Sequence, residues 1–384
     1  MHIFENTETA FRIKSNKELR KTAILFRLMS KPLMVRVSSW LAVVAPRLRI
    51  PVRWLVKPTI FSLFCGGETI EESIRVIEKL AENSVDTVLD YAAENQESEE
   101  QIQAVMEEIR RTMDLAAENR NVPFTVFKPT ALAPARVLSE AGNSNRVSRE
   151  AEKFAGNIRT LCRAAWERGI PVMIDAEECH YQHIIDKLAM EMMEKYNKEK
   201  AIVYNTLQMY RHDRLGFLKN CINESTGKKY YLGIKLVRGA YMDQERERAA
   251  KHGYPSPVYP DKQSTDNAFN SAMRICLDNI GTTRLFAGTH NEKSMLLLME
   301  LMKERNMDNS DPRVCVSQLY GMSDHISFNM ASLSYNVAKY LPYGPVRFLM
   351  PYLLRRAEEN KSVTGQAGRE LQWVNIEIER RKKK

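Results

Sequence analysis

Two adjacent arginines in PYLLRRAEEN (351–360) are the first place where the residue types could do chemistry. On a helix, Tyr352, Arg355, Arg356 and Glu359 fall at i, i+3, i+4 and i+7 and so share one face. Two guanidiniums beside a tyrosine make a clamp for a carboxylate or a phosphate, because each guanidinium offers a planar fork of donors. Glu359 could tether one of them; the alternative is a solvated charged face. A second cluster is KLVRGAY (235–241), where Lys235 and Arg238 end an apolar run and Gly239 and Ala240 follow. Small residues there let a flat or phosphorylated ligand approach the backbone, and the two cations suit a pyrophosphate or a reduced flavin; Gly239 could equally serve a tight turn. DAEECHYQH (175–183) brings Glu177, Glu178, Cys179, His180 and His183 close in sequence. It lacks an HExxH or CxxC frame, so no metal is expected. The absence of a GxSxG elbow and of a P-loop argues against a serine hydrolase and a nucleoside triphosphatase.

These residues need a scaffold, and the chain repeats a rhythm that supplies one. Apolar, β-branched runs at 85–91, 122–128, 170–177, 201–208, 230–239, 284–290, 313–319 and 336–344 alternate with helical patterns. Thr69 and Glu72 have capping-box spacing before a helix, a helical run spans 98–119, and Gly169 is placed to stop another. Eight strand–helix units call for a parallel sheet, and their total length suits a (β/α)8 TIM-type barrel of about 250 residues. A doubly wound open sheet is the alternative, but no GxGxxG follows the first strand. In the barrel, the polar residues Asp90, Lys128, Asp175, Gln208, Lys235 with Arg238, His290, Gln318 and Tyr340 end the strands and ring the mouth where active sites form.

Of the 384 residues, 44% are hydrophobic and 27% charged, which excludes a disordered or collagen-like chain. No run reaches the ~18 apolar residues of a membrane span. The acidic N-terminal stretch reads as neither a secretory signal nor a transit peptide. Six cysteines without a CxxC pair read as reduced intracellular thiols. The net charge of +9 is concentrated: from Leu19 to Gly67 there are nine Lys or Arg and no Asp or Glu. Removing those nine leaves 48 basic against 48 acidic residues in the chain. A segment both cationic and apolar suits an anionic membrane surface, or a basic helical arm folded on the rest, better than nucleic acid. The expected organisation is a basic amphipathic helical arm over 1–68 and a catalytic barrel over 69–384.

IDAEE, KLVRGAY, QERERAA, THNE, QLYGM, PYGP and YLLRRAEEN, in this order and at these separations, resemble the FAD-dependent proline dehydrogenases, and most closely their single-function, mitochondrial-type branch. The resemblance covers about 85–361. It implies a distorted barrel with FAD at its mouth, oxidation of L-proline to Δ1-pyrroline-5-carboxylate, and electrons passed to a membrane quinone. It further implies that Arg355, Arg356 and Lys128 bind the proline carboxylate and that Tyr340, Tyr352 and Leu319 wall its ring. Glu94 matches the acidic partner of the arginines, and Asp175 an aspartate beneath the site. Gln208, Arg238, Gly239, Ala240, Thr265, Thr289 and His290 match flavin-contacting positions. Lys235 stands where the fused bacterial enzymes have Arg near the flavin, and Met242 where they have Trp. Tyr340 is retained where hydroxyproline-oxidising relatives carry a smaller residue.

The same resemblance implies a separate pyrroline-5-carboxylate dehydrogenase as a partner. It places the chain peripherally on a membrane: the cytoplasmic face of the inner membrane in a bacterium, or the mitochondrial inner membrane in a eukaryote. Two readings compete, a membrane-associated barrel without turnover and a FAD barrel that reduces a folate-like substrate.

Overall fold

The computed structural model describes residues 3–29, 53–143, 148–359 and 366–383. The middle of the basic segment, 30–52, therefore lies outside the described residues. Eight parallel strands close into a barrel in chain order. They are β1 Asp86–Tyr91, β2 Phe124–Phe127, β3 Val172–Ile174, β4 Val203–Gln208, β5 Leu232–Val237, β6 Thr283–Gly288, β7 Val314–Leu319 and β8 Val337–Tyr343. Every expected run supplies one strand, and at least one helix follows each, which is the (β/α)8 architecture. All residues of β4 and β8 are buried, as in a parallel sheet covered on both faces.

Local signals in the sequence explain the element ends. Ser98 and Gln101 form a reciprocal capping box at the start of helix Glu99–Glu118. Thr69 caps helix Ile70–Ala81 through the Glu72 N–H, but the Glu72 carboxylate turns to the Glu68 N–H and to Lys57 instead, so that box closes on one side only. Gly169, at φ +67°, follows helix Arg149–Glu167 and donates to the Trp166 carbonyl, ending it as expected. β3 keeps only three residues of its eight-residue run, beginning just after Pro171, which has no N–H for a ladder.

The chain divides into two compact units, residues 1–92 with 318–384, and residues 93–317. In the first, helix Asn16–Met29 and the segment 53–64 share an apolar cluster with helix Val346–Glu359, built on Leu25, Phe26, Phe61, Phe64, Leu349 and Leu353. The last helix, Gln366–Lys382, closes on the first ones. Its Arg381 donates to the carbonyls of Phe11 (2.9 Å) and Lys14 (2.8 Å), clasping the turn between the first two α-helices.

One position in β8 breaks the apolar pattern. Lys339 is 0% exposed, and its ammonium pairs with Asp324 at 2.8 Å and donates to the Met322 carbonyl at 2.5 Å. Lys14 holds the other Asp324 oxygen at 2.7 Å. Burial pulls Lys339 below its ordinary pKa. Burial alone would raise Asp324, yet the two ammoniums hold it well below the usual carboxylate range. Its stabilising contribution is therefore present at neutral pH and is lost as the pH falls through that depressed pKa. Lys339→Met, which leaves the buried carboxylate short of one cation, should cost about 3–5 kcal/mol in urea denaturation at pH 7. An unchanged midpoint and slope would contradict the pairing.

Candidate functional site

The strand ends of the 93–317 unit carry most of the expected ligand-binding residues. Lys235 is the fourth residue of β5 and lies inside the strand, not beyond its end; its side chain is nearly fully buried. A buried ammonium must be paired, and Asp175, just past β3, meets it at 2.5 Å. The register explains the meeting. Ile174 pairs with Asn205, and the next residue along β4, Thr206, pairs with Lys235, so Asp175 comes level with Lys235 across β4. Alternate strands of such a barrel fill one layer of its interior in this way.

Arg238, just after β5, is held on three sides. Its Nε donates to Asp266 at 2.6 Å, one terminal nitrogen to the Thr289 hydroxyl and the other to the Ser294 hydroxyl at 2.9 Å. Its guanidinium also stacks over Phe269 at 4.5 Å. Burial lowers its pKa, against the pull of Asp266. Thr289 donates its own N–H to the Ser317 carbonyl, and His290 beside it is half-buried. Thr265 lies on helix Lys262–Asp278, its hydroxyl donating to the Asp261 carbonyl at 3.3 Å.

Gln208 ends β4 and uses both ends of its amide within the protein. Nε2 donates to the Glu177 carbonyl at 2.7 Å, and Oε1 accepts the Ala240 N–H at 3.0 Å. That network assigns the amide orientation and commits one of the two Nε2 hydrogens to the Glu177 carbonyl. Gly239 has φ +134°, and a Cβ there would fall 1.5 Å from a Tyr210 ring carbon. Both the backbone conformation and the space require glycine. Lys128 precedes the turn Pro129–Ala131 and its side chain is half-buried, and Glu94 follows β1 in a loop where its carbonyl accepts from Gln96. Met242 begins helix Met242–His252 and is 38% exposed.

The expected substrate residues of the other unit lie on β7, β8 and helix Val346–Glu359. Tyr340 is buried in the middle of β8 and its carbonyl accepts the Tyr320 N–H, while Leu319 is the last residue of β7. The Arg356 guanidinium lies 5.2 Å over the Tyr352 ring and is 8% exposed; Arg355 is half-buried. The i, i+4 spacing thus brings the arginine onto the tyrosine face. The Glu359 side chain lies outside the described residues, so its tether to the arginines is not part of this geometry.

Sequence reasoning missed Asp266, Ser294 and Tyr241. Nothing local marks the first two, which lie 28 and 56 residues from the arginine that they hold. Glu177 drew notice only as one of a tempting metal-ligand run. In the structure its carboxyl accepts from the Thr130 hydroxyl at 2.7 Å and the Tyr241 hydroxyl at 2.6 Å, and burial raises its pKa to about 7. His180 contacts the Ser139 hydroxyl at 3.3 Å; burial, then Arg248 and two other histidines, push its pKa down to about 4. Among the described residues no three His, Cys, Asp or Glu side chains are grouped to hold a metal ion.

A closed parallel barrel with charged pairs set into its strands is the class of protein that this fold defines. Residues 73–369 match the proline dehydrogenase family, and the chain belongs to that family. It is 34% identical to proline dehydrogenase 1, mitochondrial, of Dictyostelium discoideum, in an alignment covering 86% of this chain and 66% of that protein. It is 33% identical to the carbapenem antibiotics biosynthesis protein CarD of Pectobacterium carotovorum subsp. carotovorum, over 83% of this chain and 84% of that one. The solved structure of proline utilization A (PutA) from Bdellovibrio bacteriovorus, inactivated by N-propargylglycine, superposes with a TM-score of 0.73 at 20% identity, and this likeness is one of fold. The match covers 93% of this chain and 38% of that one. The chain thus spans just under two thirds of the Dictyostelium relative and well under half of the Bdellovibrio protein.

Gly239→Ala should destabilise the fold by about 1–3 kcal/mol through the combined overlap and backbone strain. The double variant Gly239→Ala with Tyr210→Ala should behave better than the sum of its parts, because the second change removes the overlap. Additive thermal-unfolding effects would show that the two do not interact.

Proposed function

We propose that this chain oxidises L-proline to Δ1-pyrroline-5-carboxylate with FAD as hydride acceptor and passes the electrons to a membrane quinone. The observation that carries the reading is the Arg356 guanidinium, buried and stacked on Tyr352 beside Arg355, in a member of the proline dehydrogenase family. A guanidinium lying on an aromatic face is held in orientation and poorly hydrated, which favours a bidentate grip on a carboxylate.

The donor set of the 93–317 unit fits FAD. Lys235, buried and paired, and Arg238, half-buried and held in place, supply fixed cationic groups, Gln208 an oriented amide hydrogen, and Gly239 and Ala240 a backbone without bulk, with Thr265, Thr289 and His290 alongside. These residues would hold the cofactor, which when bound supplies the acceptor for a hydride from the proline ring. The rest of the work belongs to the chain. Arg355, Arg356 and Lys128 fix the carboxylate, with Glu94 and Glu359 as acidic partners of the clamp. Tyr340, Tyr352 and Leu319 pack the pyrrolidine ring and exclude water, converting binding into orientation. The Asp175–Lys235 pair holds a cation in place within the barrel, and solvent takes the amine proton. A separate dehydrogenase would then consume the product.

Support for a membrane acceptor comes from the described part of the basic segment. The solvent face of helix Asn16–Met29 presents Lys17, Arg20, Lys21, Ile24, Arg27 and Leu28, with Glu18, in the first turn, paired to Lys79 at 2.8 Å. Lys21 donates to Ser62 at 2.9 Å, joining this face to the segment that carries Trp54, which is 72% exposed. Cations interspersed with exposed aliphatic and indole side chains match an anionic lipid surface. Among the described residues no helix is long and apolar enough to cross a membrane, so the attachment proposed is peripheral.

Arg355→Met and Arg356→Met should each weaken proline binding by about 1.5–3 kcal/mol, roughly 10- to 150-fold, while the purified protein stays yellow. Anaerobic titration with proline, followed by flavin bleaching, measures this; loss of flavin with unchanged proline affinity would overturn the assignment. The same titration with NADH separates the folate-type reading, which requires bleaching by the nicotinamide. The triple variant Ile24→Asp, Leu28→Asp, Trp54→Ala should float with anionic liposomes at least about tenfold less than the wild type. Equal flotation would defeat the membrane reading of this face.

A further inference from the structure

The network behind Gln208 centres on a carboxyl to which the mechanism above gives no task. Glu177 is 2% exposed. One carboxylate oxygen accepts from the Thr130 hydroxyl at 2.7 Å and from the Thr130 N–H at 3.3 Å; the other accepts from the Tyr241 hydroxyl at 2.6 Å. Its backbone N–H donates to Gln182 at 2.7 Å, and its carbonyl accepts the Gln208 amide, whose oxygen in turn accepts the Ala240 N–H. A single residue therefore ties together the loops after β2, β3 and β5 and the last residue of β4, all within the 93–317 unit.

We propose that Glu177 is the positioning residue of the cofactor site: its carboxyl pins Tyr241 and hence the Gly239–Tyr241 path, and its carbonyl fixes which amide hydrogen Gln208 presents. The proposal rests on the reading that FAD binds at these strand ends. Without the Glu177 carbonyl the Gln208 amide loses the partner that orients it, and without the carboxyl the Tyr241 hydroxyl, adjacent to Ala240, loses its anchor. Buried networks of this kind act as units, so loosening one member is felt at the next.

The same carboxyl gives the site a pH response. The titratable groups facing it are Glu94 from the loop after β1, Tyr241 from the loop after β5 and Tyr181 from helix Cys179–Tyr196. A charge formed at Glu177 thus appears beside a carboxylate and two phenols. Burial keeps the proton on up to a pH of about 7, against 4.5 for the ordinary group. Because the folded-state pKa is raised, the folded protein binds the extra proton between these values. The contribution to stability therefore falls as pH rises across the same window. The new negative charge also disfavours adding electrons nearby.

The test uses the holoenzyme with Glu177→Gln, which keeps the shape and removes the titration, and Glu177→Ala, which removes the anchor. FAD dissociation is read by fluorescence of released flavin, and the flavin midpoint potential is read from pH 5.5 to 9. The wild type should show an inflection near pH 7 in the potential, Glu177→Gln should lack it, and Glu177→Ala should bind FAD about tenfold more weakly, the scale of one lost hydrogen bond. Identical potential profiles in the wild type and Glu177→Gln, with a change confined to thermal stability, would reduce Glu177 to a structural role and overturn the proposal. A wild type that binds no FAD at all would instead overturn the cofactor reading, and this proposal with it.

Discussion

A strand of a closed parallel barrel is covered on both faces, so any charge set into it has no water to turn to. The protein meets this constraint twice with lysine. Lys235 in β5 is neutralised by Asp175 just past β3, and Lys339 in β8 by Asp324 with Lys14 beside it. The two solutions serve different ends. Lys339 reaches Asp324 at the start of the helix that follows β7, and Asp324 in turn holds Lys14, so the pairing ties β8 and that helix to the N-terminal residues of the same unit. Lys235 is paired two residues short of the Gln208–Val237 pair that ends β4 and β5, so its pairing fixes the barrel interior directly below those strand ends.

Compensation of charge also separates the roles of the arginines. Three of the five donors of Arg238 are engaged by Asp266, Thr289 and Ser294, and its plane is covered by Phe269. Such a guanidinium cannot swing to meet a substrate; it offers a fixed field and two remaining hydrogens. Arg356 is built differently, stacked on a tyrosine of its own helix four residues earlier. Its cover comes from its own helix, so the i, i+4 spacing alone places the guanidinium on the ring.

Much of the scaffold was legible because it is written in local patterns. Each of the eight apolar runs becomes a strand, Ser98 and Gln101 cap the helix they introduce, and Gly169 stops the one before it. The candidate residues were legible by type, but their partners were not. Asp266 lies 28 residues from Arg238, and Asp324 lies 310 from Lys14, so only the closed barrel brings these pairs together. Apolar runs also misplace boundaries. Lys235 and Tyr340 read as strand-end residues but lie within β5 and β8, because the backbone ladders to β4 and β1 run on past them to Val237 and Tyr343. The run at 170–177 shrinks to three residues for the opposite reason, with a proline at one end and Asp175, turned to Lys235, at the other.

The backbone between β5 and its helix shows how little freedom such a site retains. Gly239 is confined by the Tyr210 ring, the Ala240 N–H is taken by Gln208, and the Tyr241 hydroxyl is taken by Glu177. Three consecutive residues are thus held from two places in the 93–317 unit, the end of β4 and the loop after β3. A short loop so constrained cannot adapt to whatever binds against it, so the shape it presents was determined before any ligand arrived. Preorganisation of this sort moves the entropic cost of ordering into folding, where the apolar core offsets it, instead of leaving it to be met at each binding event.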